Sequence, residues 1–440
     1  MKALLRLTIS LVMAIPFSAF ADLIQFDDGT LKYQLNTSSK EAAVMKCLKT
    51  SQTKEIMILD NIMTDDGKTY KVTEIMSSAF SKCKLKSVRF PVTLKIIGAN
   101  AFSNCPNFYN GKNFDVPEGV KTIGMEAFYG CKFSSVSLPS SLTKVEEGAF
   151  QNTTITSIRF YKPKSSLVLE FRTFRGCKKL TSVDIPSGVS KMGQAIFADC
   201  TALTSVSLPA TISTVPSMGF EDCTALRTVN IAEGITKIDF DAFAGSGIEN
   251  MTLPSTIKTI SQGAFSGSSI RSISLPQSLK TLSYMAFSGC KNLTSISVPS
   301  NVTNIESGAF YACSSLASVY IPASVKTIEQ AAFYECDKLM YVKSDAITPP
   351  SCEGTVWSDA TLDNAQLIVP AQAVNNYKNA DGWSDFRWLY NSAVEVIETE
   401  SQEYTTLFFD LQGHLLSSVP TEKGIYLKLT GKKCEKIIIP

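Results

Sequence analysis

Residues 293–315 read LTSISVPSNVTNIESGAFYACSS, and residues 316–338 read LASVYIPASVKTIEQAAFYECDK. Two earlier lines, LTSVDIPSGVSKMGQAIFADCTA from Leu180 and LTSVSLPATISTVPSMGFEDCTA from Leu203, follow the same pattern, LxSVxLPxxVxxIxxxAFxxCxx. About a dozen copies run along the chain. Their anchor phenylalanines are Phe80, Phe102, Phe128, Phe150, Phe174, Phe197, Phe220, Phe243, Phe265, Phe287, Phe310 and Phe333. Most steps are 22 or 23 residues, and those to Phe128 and Phe174 are longer. A fixed period of this length specifies a solenoid.

The physics of one copy explains why. In residues 293–315 the apolar positions are Leu293, Ile296, Val298, Val302, Ile305, Ala309 and Phe310. One copy has too little chain to cover them, but stacking sets each over its counterpart and makes a continuous apolar column. LxSVxL alternates as a strand does, with Ile296 and Val298 inward and Ser295 and Ser297 outward. Pro299 has no N–H to give to a ladder and ends the strand. VTNIESGAF then brings the chain round as a turn or short helical piece.

These residues resemble the leucine-rich repeat proteins, and the proline after the strand and the AFxxC corner resemble the BspA-like subtype of bacterial surface proteins. The resemblance covers roughly residues 70–390. It implies a curved leucine-rich repeat solenoid with a parallel β-sheet on its concave side. Strands about 4.8 Å apart would give twelve coils an edge roughly 50–60 Å long. That suits a protein or glycan polymer better than a metabolite.

Lys2 and Arg6, the apolar run LTISLVMAIPF and the small-residue site Ala19-Phe20-Ala21 read as a signal peptide over 1–21, with the mature chain starting at Asp22. No later segment approaches twenty apolar residues, so no transmembrane segment is expected after cleavage. The full chain carries 42 basic and 40 acidic residues; without Lys2 and Arg6 the two balance at 40 each. A neutral mature chain argues against nucleic acid as a partner.

Twelve cysteines in an exported chain suggest disulfides. The repeat argues for structural free thiols instead. Cys83, Cys105, Cys131, Cys177, Cys200, Cys223, Cys290, Cys313 and Cys336 all follow an anchor phenylalanine by three residues. Equivalent side chains in stacked coils point in parallel, which is poor disulfide geometry. Thr153, Ser246 and Ser268 take the same corner in other copies. Cys47, Cys352 and Cys434 lie outside this column and are left undecided.

A solenoid needs caps at its open ends. Residues 22–72 form a β-rich N-terminal cap, with hairpins at Asp28-Gly29 and Asp66-Gly67. EAAVMKCL between them is compatible with helix or strand. The repeats occupy 73–338. Residues 339–390 form the C-terminal cap, where Trp357 replaces the next phenylalanine and Tyr377, Trp383, Phe386 and Trp388 seal the last coil or make a sugar-binding platform. Residues 391–403 read as an acidic linker and 404–440 as a small β tail. Over about 37 residues, FDLQG and KGIYLKL resemble the C-terminal β domains that direct proteins to type IX secretion. His414 stands where such tails often carry Arg.

The sole histidine is His414, which leaves the solenoid without a His-based triad or a multi-histidine metal site. No phosphate-binding or dinucleotide glycine pattern occurs. Neither enzyme activity nor a cofactor is expected. Along the outward strand positions hydroxyls dominate, with two departures. Tyr320, Tyr341 and Lys343 form a candidate aromatic patch on the last two coils, and tyrosines suit interface hot spots. The longer copy from Ile155 carries Arg159, Arg172 and Arg175 with Lys162, Lys164, Lys178 and Lys179, a candidate site for acidic protein or glycan.

The resulting expectation is a secreted or cell-surface binding protein, monomeric and adhesin-like, exported to the outer surface or periplasm of a Gram-negative-type bacterium. Its partner would be an extracellular protein or glycan. Carbohydrate capture and a purely structural envelope role are the alternatives.

Overall fold

A computed structural model describes residues 23–51, 55–392, 406–409, 415–416, 424–430 and 433–439. The expected signal peptide over 1–21, most of the expected linker over 391–403, and His414 lie outside the described residues. The repeats form a parallel β-solenoid. Each coil contributes an LxSVxL strand, such as Ser295–Ser297 or Ser318–Ile321, and then a second strand, of two residues in most coils, such as Asn304–Ile305 or Thr327–Ile328. Equivalent strands pair in parallel, residue over residue: Ser205 with Thr228, Ser295 with Ser318, Ile305 with Ile328.

The local steps follow from the residues. Ile296 and Val298 are buried and Ser295 and Ser297 half-buried, as alternation requires. The Pro299 carbonyl accepts the Val302 N–H at 3.0 Å, closing a turn into the second strand. Pro209, Pro254 and Pro322 do the same for Ile212, Ile257 and Val325. The segment opposite the first strand is strand and turn, with no helical piece among the described repeats. The helices Asp359–Asn364 and Val374–Lys378 belong to the C-terminal end.

The AF corner makes a third ladder that strand periodicity does not announce. The anchor N–H donates to the carbonyl of the residue before the next anchor, as Phe220 to Ala242 at 2.8 Å and Phe310 to Ala332 at 2.8 Å. Successive anchor rings stack with centroids 5.0 to 5.7 Å apart, from Phe80 to Phe333, and Trp357 continues the stack at 4.9 Å. The long step to Phe128 is not a surface loop, because it brings Phe108 and Phe114 into the core.

Two left-handed residues shape each corner, two before and two after the anchor. Around Phe220 they are Met218 (φ 52°) and Asp222 (φ 55°), and around Phe287 Met285 (φ 52°) and Gly289 (φ 68°). Most are not glycine, so each stores backbone strain that three ladders hold in place. Gly289→Val should therefore cost about 1–2 kcal/mol, because a β-branched residue resists this region. Urea unfolding midpoints check it, with Gly289→Asn, which tolerates the region, close to wild type.

From Cys105 onward the corner cysteines are free thiols that share one task. Cys105 donates to the Phe80 carbonyl at 2.9 Å, Cys223 to Phe197 at 3.2 Å and Cys313 to Phe287 at 3.2 Å. Each satisfies a buried carbonyl of the preceding coil. Burial pushes the Cys177, Cys223 and Cys290 thiols up to about 12. Alkylation of native protein should leave Cys200, Cys223 and Cys313 unlabelled, with full labelling after denaturation. Disulfide-linked peptides joining successive corners would refute this account.

The N-terminal residues feed directly into the ladders. Leu23–Asp27 and Leu31–Asn36 form the hairpin at Asp28-Gly29, and Asn61–Met63 and Thr69–Ile75 the one at Asp66-Gly67. EAAVMKCL is strand over Glu41–Cys47 and pairs in parallel with Thr69–Ile75, which starts the second ladder. Glu55–Met57 pairs with Ser87–Arg89 at the start of the first. At the other end Trp357, Tyr377, Trp383 and Phe386 are buried and close the ring stack. Trp388 departs from the expected seal: it starts the last strand, Trp388–Asn391, and is 38% exposed. The described tail strands form a four-stranded antiparallel sheet.

Candidate binding face

The last five strands of the first ladder form one parallel sheet: Ser295–Ser297, Ser318–Ile321, Tyr341–Ser344, Gln366–Val369 and Trp388–Asn391. Register aligns two outward columns. One runs Ser295, Ser318, Tyr341, Gln366, Trp388, and the other Ser297, Tyr320, Lys343, Ile368, Tyr390. The three residues singled out from sequence therefore do meet. Tyr320 and Lys343 are paired neighbours, and Tyr341 shares a strand and a face with Lys343.

Their electrostatics are partly closed on themselves. The Tyr320 hydroxyl donates to Asp345 Oδ2 at 2.7 Å, and Lys343 Nζ lies 3.7 Å from Asp345 Oδ1. The same ammonium sits 5.2 Å from the Tyr320 ring centroid. Burial, then the bond to Asp345, pushes the Tyr320 hydroxyl well above its ordinary range, so it stays a donor at any physiological pH. Burial also raises Tyr341. Tyr320 is thus a fixed ring whose polar end is already used.

Sequence reading missed the continuation of this face. Trp388 and Tyr390 were grouped with the cap, yet they alternate outward around Leu389, which packs on the core. Trp388 Nε1 donates to the Asp363 carbonyl at 3.1 Å, and Arg387 lies 5.4 Å from its ring centroid. The signal was present: WLYN alternates as GIYLKL does, but this strand lacks the proline and AF corner that mark the repeat. The result is a sheet surface that is hydroxyl-rich over most coils and aromatic at Tyr320, Tyr341, Trp388 and Tyr390.

The basic residues are not gathered into one surface. Arg159 is on the first ladder, in Ser157–Phe160, with its guanidinium 4.8 Å from the Tyr161 ring centroid. Arg172 and Arg175 flank Phe174 at the corner, on a different wall. Arg172 lies 4.3 Å from the Phe171 ring centroid, and Arg175 pairs with Asp199 at 2.9 Å. Lys164 pairs with Glu118 at 3.1 Å. Lys164 and Arg175 are therefore matched by a carboxylate, while Arg159 and Arg172 rest on aromatic rings.

A cleft of about 360 Å³ opens on the second ladder, between Val189–Met192 and Thr214–Val215, lined by Glu170, Phe171, Lys191, Thr214, Pro216 and Asp239 among others. Elsewhere the residue at this step, such as Gly193 or Asp239, donates its N–H to the coil before. Pro216 has none to donate, and the two strands do not pair. Asp239 is already bridged by Lys237 at 2.9 Å. No helix among the described residues is long and apolar enough to cross a membrane.

Comparison with known proteins agrees with this architecture. A leucine-rich repeat protein from Bacteroides ovatus superposes with a TM-score of 0.52 at 22% identity, covering 72% of this chain and 94% of that one. A leucine-rich cell surface protein from Faecalibacterium prausnitzii aligns at 21% identity and TM-score 0.41, over 73% and 94%. The pneumococcal vaccine antigen PcpA aligns at 15% identity and TM-score 0.38, over 84% and 99%. No curated protein matches significantly. The profile of the BspA type leucine-rich repeat region matches residues 64–111, 107–227, 156–270 and 213–340, in six copies. These matches together run over more than half of the 440 residues, through the same coils whose strands, corners and ring stack are described above, and the chain belongs to the BspA-type leucine-rich repeat family.

Proposed function

We propose that the protein is an exported, adhesin-like binding protein that holds an extracellular protein against the outward side of its first ladder, near the C-terminal end. The observation that carries this reading is the change along two registered columns from Ser295 and Ser297 to Tyr320, Tyr341, Trp388 and Tyr390. Aromatic side chains supply large contact area at small entropic cost, and rigid strands position them before the partner arrives. Lys2, Arg6, the apolar run and Ala19-Phe20-Ala21 support export. The resemblance of FDLQG and KGIYLKL to type IX sorting segments, and membership of the BspA-type family, support delivery to the cell surface.

Protease shaving of intact cells tests exposure, and loss of the protein from shaved cells is expected. A panel of immobilised matrix proteins then tests binding. Tyr341→Ala combined with Trp388→Ala should weaken binding about tenfold or more, about 1.4 kcal/mol, with no fall in unfolding midpoint. Charge reversal at Arg159, Arg172 and Arg175 should leave binding within about twofold. If the reversal abolishes binding and the aromatic pair does not matter, the basic segment is the site. A salt-steep affinity would point the same way.

One observation favours a second reading. Trp388 and Tyr390 share a flat sheet surface with Gln366, an arrangement suited to stacking sugar rings and donating to their hydroxyls. Binding on a glycan array with a silent protein panel would select carbohydrate capture. Silence on both would favour a structural envelope role.

A further inference from the structure

Cys47 differs from every corner cysteine in where the fold puts it. Its N–H donates to the Ala79 carbonyl at 2.8 Å. Phe80 makes that same bond to Ala101, and Phe102 to Ala127. Cys47 therefore stands in the anchor position of the coil before Phe80. The next corner cysteine is Cys83. Later corner thiols reach back to the preceding anchor, as Cys105 does to Phe80 at 2.9 Å and Cys131 to Phe102 at 3.1 Å. For Cys83 the preceding anchor is Cys47. The later thiols bond the anchor's carbonyl, whereas Cys83 and Cys47 meet side chain to side chain, both buried, at 1% and 2% exposure.

We propose that Cys47 and Cys83 form a disulfide that fastens the N-terminal hairpin strands to the first coil. The pair comes from two different positions of the coil, an anchor and a corner, so the side chains converge. Cys313 and Cys336 also touch, but they occupy equivalent corners and each is committed to its own backbone carbonyl, at 3.2 Å in both cases. Parallel side chains of that kind cannot reach the dihedral a disulfide needs.

The chemistry at Cys47 fits. Its contact with Cys83, aided by the Lys49 backbone and charge, pulls the thiol down from its ordinary range, whereas the Cys47 contact and then burial push Cys83 up. Exchange takes place while the chain folds, before the two sulfurs are buried, with one thiolate attacking and the other resolving. The oxidant is an external disulfide, such as oxidised glutathione or an oxidised dithiol protein. One thiolate of the pair attacks it to give a mixed disulfide and one thiolate leaving group. The thiolate of the other cysteine then displaces the second. The oxidant takes up two electrons as two thiols, and Cys47 and Cys83 lose two protons in all.

The location gives the bond a purpose. A solenoid unzips from its ends, and among the described strands Glu55–Met57, the first of the first ladder, pairs with Ser87–Arg89 alone. A bond from residue 47 to 83 closes a loop that contains this strand, and restricting the unfolded chain there stabilises the end that opens first.

The test uses the full mature chain refolded with oxidised and reduced glutathione, acid-quenched, denatured and mapped by mass spectrometry under non-reducing conditions. The expected product is a linked peptide pair joining Cys47 to Cys83, with none joining Cys313 to Cys336, and an unfolding midpoint that falls by several degrees on adding reductant. In Cys83→Ser the linked peptide pair and the reductant-sensitive shift should both vanish. Full alkylation of both thiols in the oxidised wild-type chain would overturn the proposal, as would a Cys313–Cys336 link formed at comparable yield. The measurement needs no ligand, so it stands or falls separately from the binding face.

Discussion

A chain ending after Ser246 aggregates rather than folding into a shorter solenoid. The cut removes the coils that cover Phe243, Ile235 and Ile238, all fully buried in the whole chain. It also leaves the Phe243 N–H without Ala264 and the Gly245 N–H without Ser266, bonds of 2.8 Å each. An open apolar face and an unpaired parallel edge then coincide, which is the combination that recruits other chains. Light scattering and size exclusion measure it against the mature chain. A soluble fragment with a single cooperative unfolding transition would contradict the capping argument. Fusing residues 339–392, which carry the buried Trp357, Trp383 and Phe386, after the cut should restore solubility in part.

Phe220→Ala lowers stability by about 3–5 kcal/mol, the range for deleting a fully buried aromatic side chain. The Phe220 ring lies between Phe197 at 5.7 Å and Phe243 at 5.4 Å. The backbone on either side is pinned by bonds to the neighbouring coils, so the walls cannot close on the cavity and the full cost remains. Phe220→Leu, which refills much of the space, should cost far less. Urea unfolding gives the global value, and hydrogen exchange at the Phe197, Phe220 and Ala242 amides shows whether the loss is local to the altered coil. A change under about 1 kcal/mol would mean that the ladders, not the ring column, hold adjacent coils together.

The repeat made the coil readable before any coordinates. The period placed a strand at LxSVxL, the proline ended it, and Ile296, Val298, Val302, Ile305 and Phe310 were assigned inward, where they are buried. The pairing of Tyr320 with Lys343 was equally readable, because equivalent positions in a solenoid must stack. Where a feature departs from the repeat, the reading fails. EAAVMKCL carries no anchor phenylalanine, so its strand went undecided. The Trp388 strand has neither proline nor AF corner, so its alternation was absorbed into the cap. Arg159, Arg172 and Arg175 are near in sequence, yet fall on different walls because the coil turns between them.

Local pattern decides which side chains face the core, since strand alternation and proline chemistry act within a few residues. It therefore specified the solenoid, the corner thiols and the hydroxyl-rich outward columns from the letters alone. Contacts between coils decide the rest. The left-handed backbone at Met218 and Asp222 persists because the Met218 and Asp222 N–H groups reach Phe240 and Ala244 in the next coil, at 2.7 and 2.8 Å. Cys47 becomes an anchor only through its bond to Ala79, and Trp388 joins the aromatic face only through its pairing with Gln366. Each of these depends on a partner some twenty or more residues away, and a local window does not contain the bond that fixes it.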